Sequence, residues 1–410
     1  MRIKRIIALV LCLVMMLALA GCGKDEIGAY LDVYKYEPEK TVNMEFDFYI
    51  IVGEGTTTRA MTTVKDKINQ YLGDKYNTKL NINYISAAEY EAVANATVDA
   101  SVSSDVILAD KDENKDGIID PLRVNAGKIV LVTGADMMNR FVGTGKLYNL
   151  SDFLTTNEFG TLNTSIPEVL IDAARGANGE LFCIPNNHLI GHYEYVCINR
   201  AEALKHNYSD QTELRRFVSD EDITKLKSVI GDANVVVETG PYEMRAQKEA
   251  EGWICNIRQY PKATAEEAYK SAFAIIPETT VYFDANNDGL INDLDHKDYN
   301  RDKTITPGKE TGCLADKTEV ARRAMEVVYA INSDSVLRNY LQYGIEGINY
   351  KCDANGTVVY EDGEDTRYHM PLEYTGDIFK AKFIETPYAG QKPWTAEMYI
   401  NYMSQNNEAK

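Results

Sequence analysis

The segment between residues 44 and 136 alternates between strand-like and helix-like stretches, and this alternation constrains the fold more than any other feature. Met44–Val52 (MEFDFYIIV), Leu80–Ile85 and Lys128–Thr133 are apolar, extended-type stretches that predict three strands. Residues 64–72 repeat apolar side chains at helical spacing, and residues 87–100 form a second predicted helix. Alternating strands and helices predict a parallel sheet with helices on its faces, which is an α/β fold.

Acidic residues directly follow two of these predicted strands. Glu54 lies in the turn after the first strand, and Asp136 opens the helix after the third. Ligands of open α/β sheets bind beyond the carboxyl ends of the strands. The sequence therefore predicts that Glu54 and Asp136 face a ligand.

The first 22 residues have the pattern of a bacterial export signal. Arg2, Lys4 and Arg5 precede the apolar run Ile6–Leu19, and Leu-Ala-Gly-Cys ends the segment at Cys22. This resembles a lipobox, which implies that residues 1–21 are a signal peptide and that Cys22 is diacylated, for example with palmitate. Two acyl chains would anchor the chain stably to a membrane, with residues 22–40 as a polar tether. The alternative is an ordinary signal peptide, with Cys22 incidental.

Charge and cysteine content exclude several classes of protein. The net charge is −19, and it becomes about −22 without the three basic residues of the signal. Nucleic-acid binding needs patches of Lys and Arg, so it is not expected. Five of the seven cysteines remain after Cys12 and Cys22 are set aside, and they form no CxxC motif. Either one pair forms, with Cys183–Cys197 as a candidate, or all stay reduced.

Several segments together fit one family pattern. They are the lipobox, Phe182–His188 (FCIPNNH), Val235–Asn256, Ala324–Tyr350, Leu372–Asp377 (LEYTGD) and Trp394–Asn407. These segments resemble the extracellular solute-binding lipoproteins of bacterial ABC importers, of the carbohydrate-type family 1. The resemblance covers most of the exported chain, and 324–350 is its most specific part.

The resemblance implies a two-lobed, periplasmic-binding-protein-like fold of type II. It places crossover strands near 182–195 and 272–277, where the chain has short apolar extended runs. One lobe would comprise 41–190 and 278–345, and the other 191–277 and 346–410. About eighty residues separate the crossings, fewer than is usual in the family, which leaves a smaller or altered ligand pocket as an alternative.

The family's function would be to capture a solute, here expected to be an oligosaccharide, and to deliver it to the permease by hinge closure. The protein would be a monomer at the outer face of the cell membrane. No GxSxG, HExxH, P-loop or GxGxxG motif is present, so an enzyme is not expected. The alternatives are a calcium-dependent surface adhesion or scaffold protein and a secreted glycosidase.

Candidate ligand residues combine amides, carboxylates and aromatic rings, which is the chemistry of a carbohydrate site. Those expected on the first lobe are Glu54, Asp136, Asn186, Asn187 and His188, and the aromatic candidates opposite are Tyr193, Tyr242, Trp253 and Tyr374. Each has a plain alternative: the amides and His188 as turn or crossover residues, and Trp253 as core.

The acidic stretch 284–295 predicts a structural Ca²⁺ site. Its spacing resembles an EF-hand loop of the dockerin type, in which Gly289 permits the sharp turn and Asp replaces Glu at the last position. The predicted ligands are Asp284, Asn286, Asp288, the Leu290 carbonyl, Asn292 and Asp295. The alternative is an acidic surface loop without an ion.

Two further stretches match this pattern less well, and both lie in the acidic insertions 110–123 and 284–309. The first lacks an acid at its last position, where Arg123 stands, and the second lacks the glycine. Their candidate ligands are Asp112, Asn114, Asp116 and Asp120 in one and Asp298, Asn300 and Asp302 in the other.

Overall fold

The computed structural model describes residues 42–109, 122–208, 215, 217–241, 244–284, 313–354, 356–382 and 396–409. None of the described helices is long and apolar enough to cross a membrane. The predicted signal peptide, tether and Cys22 lie outside the described residues, and so do most residues of the acidic insertions.

The first part of the chain contributes four strands to a five-stranded sheet (the larger sheet), one strand to a small three-stranded sheet, and the helices packed on them. Its elements are β1 (Val42–Val52), α1 (Thr58–Tyr76), β2 (Thr78–Ser86), α2 (Ala87–Ala100), β3 (Ser104–Ala109), β4 (Leu122–Val132), α3 (Ala135–Gly143), α4 (Leu162–Ser165), α5 (Glu168–Ala173) and β5 (Cys183–Pro185). α1 begins where the Thr57 side chain accepts from Ala60 N and ends at Asn77, whose left-handed backbone closes the helix. The strands and helices predicted between residues 44 and 136 are confirmed.

A second, smaller unit follows. Its elements are β6 (Tyr193–Asn199), α6 (Arg200–Lys205), α7 (Asp220–Ile230), β7 (Val235–Gly240), α8 (Met244–Ala250) and β8 (Trp253–Gln259). The strands pair antiparallel in the order β7-β6-β8. Val196, Ile198, Leu226 and Val235 belong to a core of its own, separate from that of the larger sheet.

The chain then returns to the larger unit. It continues with α9 (Ala265–Tyr269), β9 (Ala272–Pro277), β10 (Thr279–Asp284), β11 (Cys313–Ala315), α10 (Lys317–Ser333) and α11 (Ser335–Tyr343). The tail adds β12 (Tyr350–Cys352), β13 (Val358–Tyr360), short 3₁₀ turns at Leu372–Tyr374 and Ile378–Lys380, and α12 (Ala396–Glu408). Two units with separate cores, joined by two connecting segments, agree with the predicted two-lobed α/β fold.

The larger sheet has the order β2-β1-β4-β9-β5. β1 pairs parallel with β2 and β4, whereas β9 pairs antiparallel with both β4 and β5. The parallel pairing predicted for the strands between residues 44 and 136 is confirmed, and β9, from later in the chain, joins the sheet in the opposite direction. The reason is topological: the chain leaves for the second unit at the carboxyl end of β5 and re-enters the sheet from that same edge, so β9 must run the opposite way.

One disulfide joins the two neighbouring strands β6 and β8, through Cys197 and Cys255. Cys183 is buried in the larger core as a free thiol, so the proposed Cys183–Cys197 pair is wrong. The two residues lie in different units, whereas the register of β6 with β8 sets Cys197 opposite Cys255.

Candidate functional site

The carboxyl end of the larger sheet gathers the predicted first-lobe site residues at one edge. β1, β4 and β5 run in the same direction, so Glu54, Asp136 and Asn186–His188 all follow strands that end there. Glu54 and Asp136 are exposed, whereas Asn186, Asn187 and His188 are buried. The sequence therefore predicts the edge of the sheet correctly, but three of the five residues named there are buried and hold the crossover.

The tail of the chain covers the end of β1. Gly53 N donates to the His369 carbonyl at 3.0 Å, and Thr57 N donates to the Arg367 carbonyl at 3.0 Å. Thr56 Oγ1 also donates to the His369 carbonyl, at 2.8 Å. Residues 367–369 therefore cover the carboxyl end of β1 and the turn that holds Glu54. The open space at this end of the larger sheet lies near the end of β5.

Asn186 is the centre of a buried polar network at that end. Its Nδ2 donates to Ser271 Oγ at 2.8 Å, and its Oδ1 accepts from Asn332 Nδ2 at 3.2 Å. Its backbone N–H donates to the Ser271 carbonyl, also at 2.8 Å. These bonds tie β5, the start of β9 and α10 together, which is a structural role for Asn186.

Asn187 connects three separate parts of the chain. Its Nδ2 donates to the Ser165 carbonyl at 2.9 Å, and its Oδ1 accepts from Asn406 Nδ2 at 3.1 Å. Its carbonyl accepts from Ile378 N at 2.9 Å. The crossover after β5 is thus held by α4, α12 and the tail segment 371–380.

Arg338 fixes that tail segment from α11. This fully buried guanidinium donates to the carbonyls of Asp377 and Leu372 at 2.9 and 2.8 Å, and to Thr375 Oγ1 at 2.6 Å. Burial lowers the pKa of Arg338 to about 10. The close approach needs Gly376, because a Cβ there would lie 2.3 Å from Ile331 Cγ2.

Asp377 is a buried carboxyl beside this network. Its Oδ1 accepts from Phe379 N at 2.8 Å. Burial raises its pKa to about 6, against the opposing effects of the Phe379 N–H, the Asn187 side chain and Arg338. A carboxyl whose raised pKa lets it bind a proton near neutral pH is unusual. Perturbed pKa values of this kind cluster at functional sites.

A cavity of about 580 Å³ opens next to Asn187 and Asp377. Its walls come from the first unit, the tail and α12, and they mix amides, charged groups and apolar side chains. The lining residues are Ser165, Ile166, Pro167, Glu168, Val169, Asn187, Asp377, Phe379, Lys380, Met403, Asn406, Asn407 and Ala409. Its volume lies in the range of small-molecule sites, and its composition of polar groups around an apolar wall suits a hydroxylated ligand.

The predicted aromatic residues do not line this cavity. Tyr193 is buried and donates its hydroxyl to Glu408 at 3.0 Å. Trp253 is half-buried in the small unit, with Lys248 Nζ 5.9 Å from its ring centroid. Tyr374 is half-buried against the larger core, and Tyr242 lies outside the described residues.

The predicted calcium ligands also lie outside the described residues, apart from Asp284, which ends β10. Among the residues that are described, no group of three or more His, Cys, Asp or Glu could hold a metal ion. The calcium sites therefore stay predictions from the sequence.

Three cavity residues, Asp377, Lys380 and Asn406, and the supporting Arg338 of α11 were not singled out from the sequence. Asp377 and Asn406 lie within LEYTGD and Trp394–Asn407, two of the segments that carry the family resemblance. Those two segments could have identified Asp377 and Asn406 as candidates, although neither segment reveals that these residues meet at Asn187.

Comparison with known proteins gives neighbours in architecture only. No family model and no curated protein matches the chain. An N-glycan transport solute binding protein (NgtS) from Streptococcus pneumoniae, solved with Man1GlcNAc, is 12% identical, with a TM-score of 0.48 over 90% of this chain and 84% of that one. A sugar transporter from Rhizobium etli in an open conformation is 10% identical, with a TM-score of 0.27 over 68% and 82%.

A third neighbour is the bacterial solute receptor AcbH, described with a preference for β-D-galactopyranose. It is 10% identical, with a TM-score of 0.27 over 47% of this chain and 38% of that one. All three are at most 12% identical to this chain and have TM-scores below 0.5.

Proposed function

We propose that this protein is an extracellular solute-binding protein, not an enzyme, that captures a carbohydrate and passes it to an ABC importer. The observation that carries the proposal is the cavity of about 580 Å³ beside Asn187, at the carboxyl end of an α/β sheet and next to the crossover between two units. Ligands of such sheets bind at this end. NgtS, which is similar in architecture, was solved with an N-glycan fragment.

The cavity offers the contacts that a sugar uses. Phe379 and Met403 provide apolar surface for a ring face, while Glu168, Asp377 and Lys380 can accept from or donate to hydroxyls. Asn406 joins this wall to the first crossover, through its bonds to Asn187 and to the His188 carbonyl. A solute bound there would contact α4–α5, the tail and α12, beside the connection through which a hinge closure would act.

A thermal-shift screen over neutral and charged mono- and oligosaccharides tests the proposal. We expect one class of sugar to raise the melting temperature, because a ligand that binds the folded state stabilises it by mass action. Amino acids and short peptides serve as the comparison set. A chain that responds to no sugar, or only to peptides, contradicts a carbohydrate-binding role.

We infer from the lipobox that Cys22 carries the lipid anchor and that residues 1–21 are removed. Metabolic labelling with palmitate should mark the wild-type protein in its native host or a related bacterium. Cys22→Ala should remove the label and release the protein into the medium, whereas Cys12→Ala should change neither. Equal labelling of Cys22→Ala would contradict the anchor.

We also propose that the 284–295 stretch binds structural Ca²⁺. β3 and β10 pair in parallel with Ala109 opposite Asp284, so both acidic insertions begin at the same end of one small sheet. Calcium titration by calorimetry should give a binding event that Asp284→Ala combined with Asp288→Ala removes. Asp66→Ala on the exposed face of α1 is the control, and an unchanged titration in the double variant contradicts the site.

A further inference from the structure

The two connections between the units run side by side. The first follows β5 through residues 186–192, and the second leads through α9 into β9. Asn186 N and Asn186 Nδ2 both bond Ser271, which directly precedes β9. Any change in the relative position of the units must therefore pass through contacts between these two segments.

His188 of the first connection faces Glu267 of the second. His188 Nε2 lies 3.8 Å from Glu267 Oε2, beyond hydrogen-bond distance. Within the described part of the chain, both atoms are buried and neither has a hydrogen-bond partner. Buried polar atoms are nearly always paired, because an unpaired one loses its hydrogen bonds to water without gaining a protein partner. Two unpaired atoms that face each other across the two connections therefore need an explanation.

The tautomer of His188 supplies that explanation. His188 Nδ1 lies 2.8 Å from the Asn186 carbonyl oxygen, which can only accept, so Nδ1 must carry the hydrogen. In the neutral ring Nε2 then carries a lone pair. A lone pair that faces a carboxylate oxygen cannot make a hydrogen bond, and the two atoms stay apart.

Glu267 is ionised when the pair with His188 is closed. Burial raises its pKa, but a hydrogen bond from a protonated His188 Nε2, together with Lys270 and the Gly191 N–H, outweighs this and lowers the pKa to about 2. Lys270 Nζ holds the other carboxylate oxygen at 2.7 Å. The charged groups closest to His188 are Glu267 and Lys270 on α9. Asp377 is connected to this region through the Asn187 side chain. Glu408 accepts a hydrogen bond from Tyr193 at the start of β6.

We propose that His188 and Glu267 form a proton-operated latch between the two connections. With neutral His188 the latch is open, because two acceptors face each other. A proton on Nε2 turns that nitrogen into a donor, and the pair closes to a charge-assisted hydrogen bond. Closing draws the two connections together at the hinge. Its role in solute capture rests on the proposed function, whereas the latch itself requires no solute.

The sign of the pH effect follows from this chemistry. The closed pair holds one more proton than the open pair, so a lower pH favours the closed pair and a higher pH favours the open one. The closed latch is therefore favoured when the surroundings acidify.

Thermal unfolding without any sugar, between pH 8 and pH 6, tests the latch. The wild-type melting temperature should rise by roughly 2 °C or more relative to His188→Gln as the pH falls. Glu267→Gln should remove the same pH dependence, because an amide can donate to neutral Nε2 at any pH. His192→Gln is the matched control on an exposed histidine of the same connection and should follow the wild type.

Nitrogen-15 NMR of labelled histidine gives a second readout that needs no variant to fold. At pH 8 the His188 signal should show a protonated Nδ1 and an unprotonated Nε2. The opposite tautomer at pH 8, or an identical pH dependence in wild type and Glu267→Gln, overturns the latch. A failed sugar screen would leave both measurements unchanged, so the two proposals fail separately.

Discussion

Asn406 and Asn187 lie 219 positions apart in the sequence, and the Asn406 amide donates to Asn187 Oδ1 at 3.1 Å. The same amide donates to the His188 carbonyl at 2.6 Å, and Asn406 Oδ1 accepts from Ile190 N at 2.9 Å. One buried side chain therefore satisfies three groups of the first connection and attaches α12 to the hinge.

Asn406→Ala should destabilise the protein by roughly 3 kcal/mol, because it leaves three buried polar groups of the connection without a partner. Chemical denaturation followed by circular dichroism measures the change. Ser404→Ala, on an exposed position of the same helix, should stay within about 0.5 kcal/mol of the wild type. Equal stability of both variants would show that α12 is not fastened through Asn406.

Asp377→Asn should remove part of the pH dependence of stability. The folded-state pKa of Asp377 is raised to about 6, so the folded chain holds this proton more tightly than the unfolded chain. The contribution, about 3 kcal/mol, is complete below pH ~4 and is lost as the pH rises through 6. The variant keeps an acceptor for Phe379 N but carries no charge.

Unfolding free energies of wild type and Asp377→Asn at several pH values between 4 and 7 check this prediction. The two curves should converge at the acid end, and the variant should be the more stable near neutrality. Asp66→Asn, on the exposed face of α1, should retain the wild-type profile. Parallel curves for Asp377→Asn and wild type would contradict the prediction.

Replacing Cys197 and Cys255 together by Ala should lower the free energy of unfolding by about 3–4 kcal/mol, since the disulfide spans 58 residues of chain. Peptide mapping without reductant should find these two cysteines linked and Cys183 free. Cys352→Ser should leave the map unchanged. A linked Cys183–Cys197 peptide would refute the assignment.

Local elements could be predicted because their pattern is local. The apolar spacing of Val64 and Ile68 predicted α1, and the apolar run from Met44 predicted β1. An element that buries one face repeats its apolar residues at a fixed spacing, which is visible in the sequence. The disulfide could not be predicted, because Cys197 finds Cys255 only through the register of β6 with β8.

The candidate site also combines residues that local patterns predict with partners from distant segments that they do not. Asn187 and His188 were placed correctly at the carboxyl end of a strand, yet the sequence does not show what covers them. Their partners Asn406 and Asp377 come from segments about two hundred residues later in the chain. Glu54 was placed at the end of β1 correctly, but the cover from residues 367–369 was not foreseen for the same reason.

Calorimetric titration of the best sugar from the screen into wild type, Glu168→Gln and Lys380→Ala tests the central claim most directly. Both residues line the cavity beside Asn187, so each variant should weaken binding by about tenfold, or roughly 1.4 kcal/mol. Glu91→Gln, on an exposed position of α2, should bind like the wild type. Unchanged affinity in both cavity variants, with the sugar still bound, would place the solute elsewhere and contradict the account.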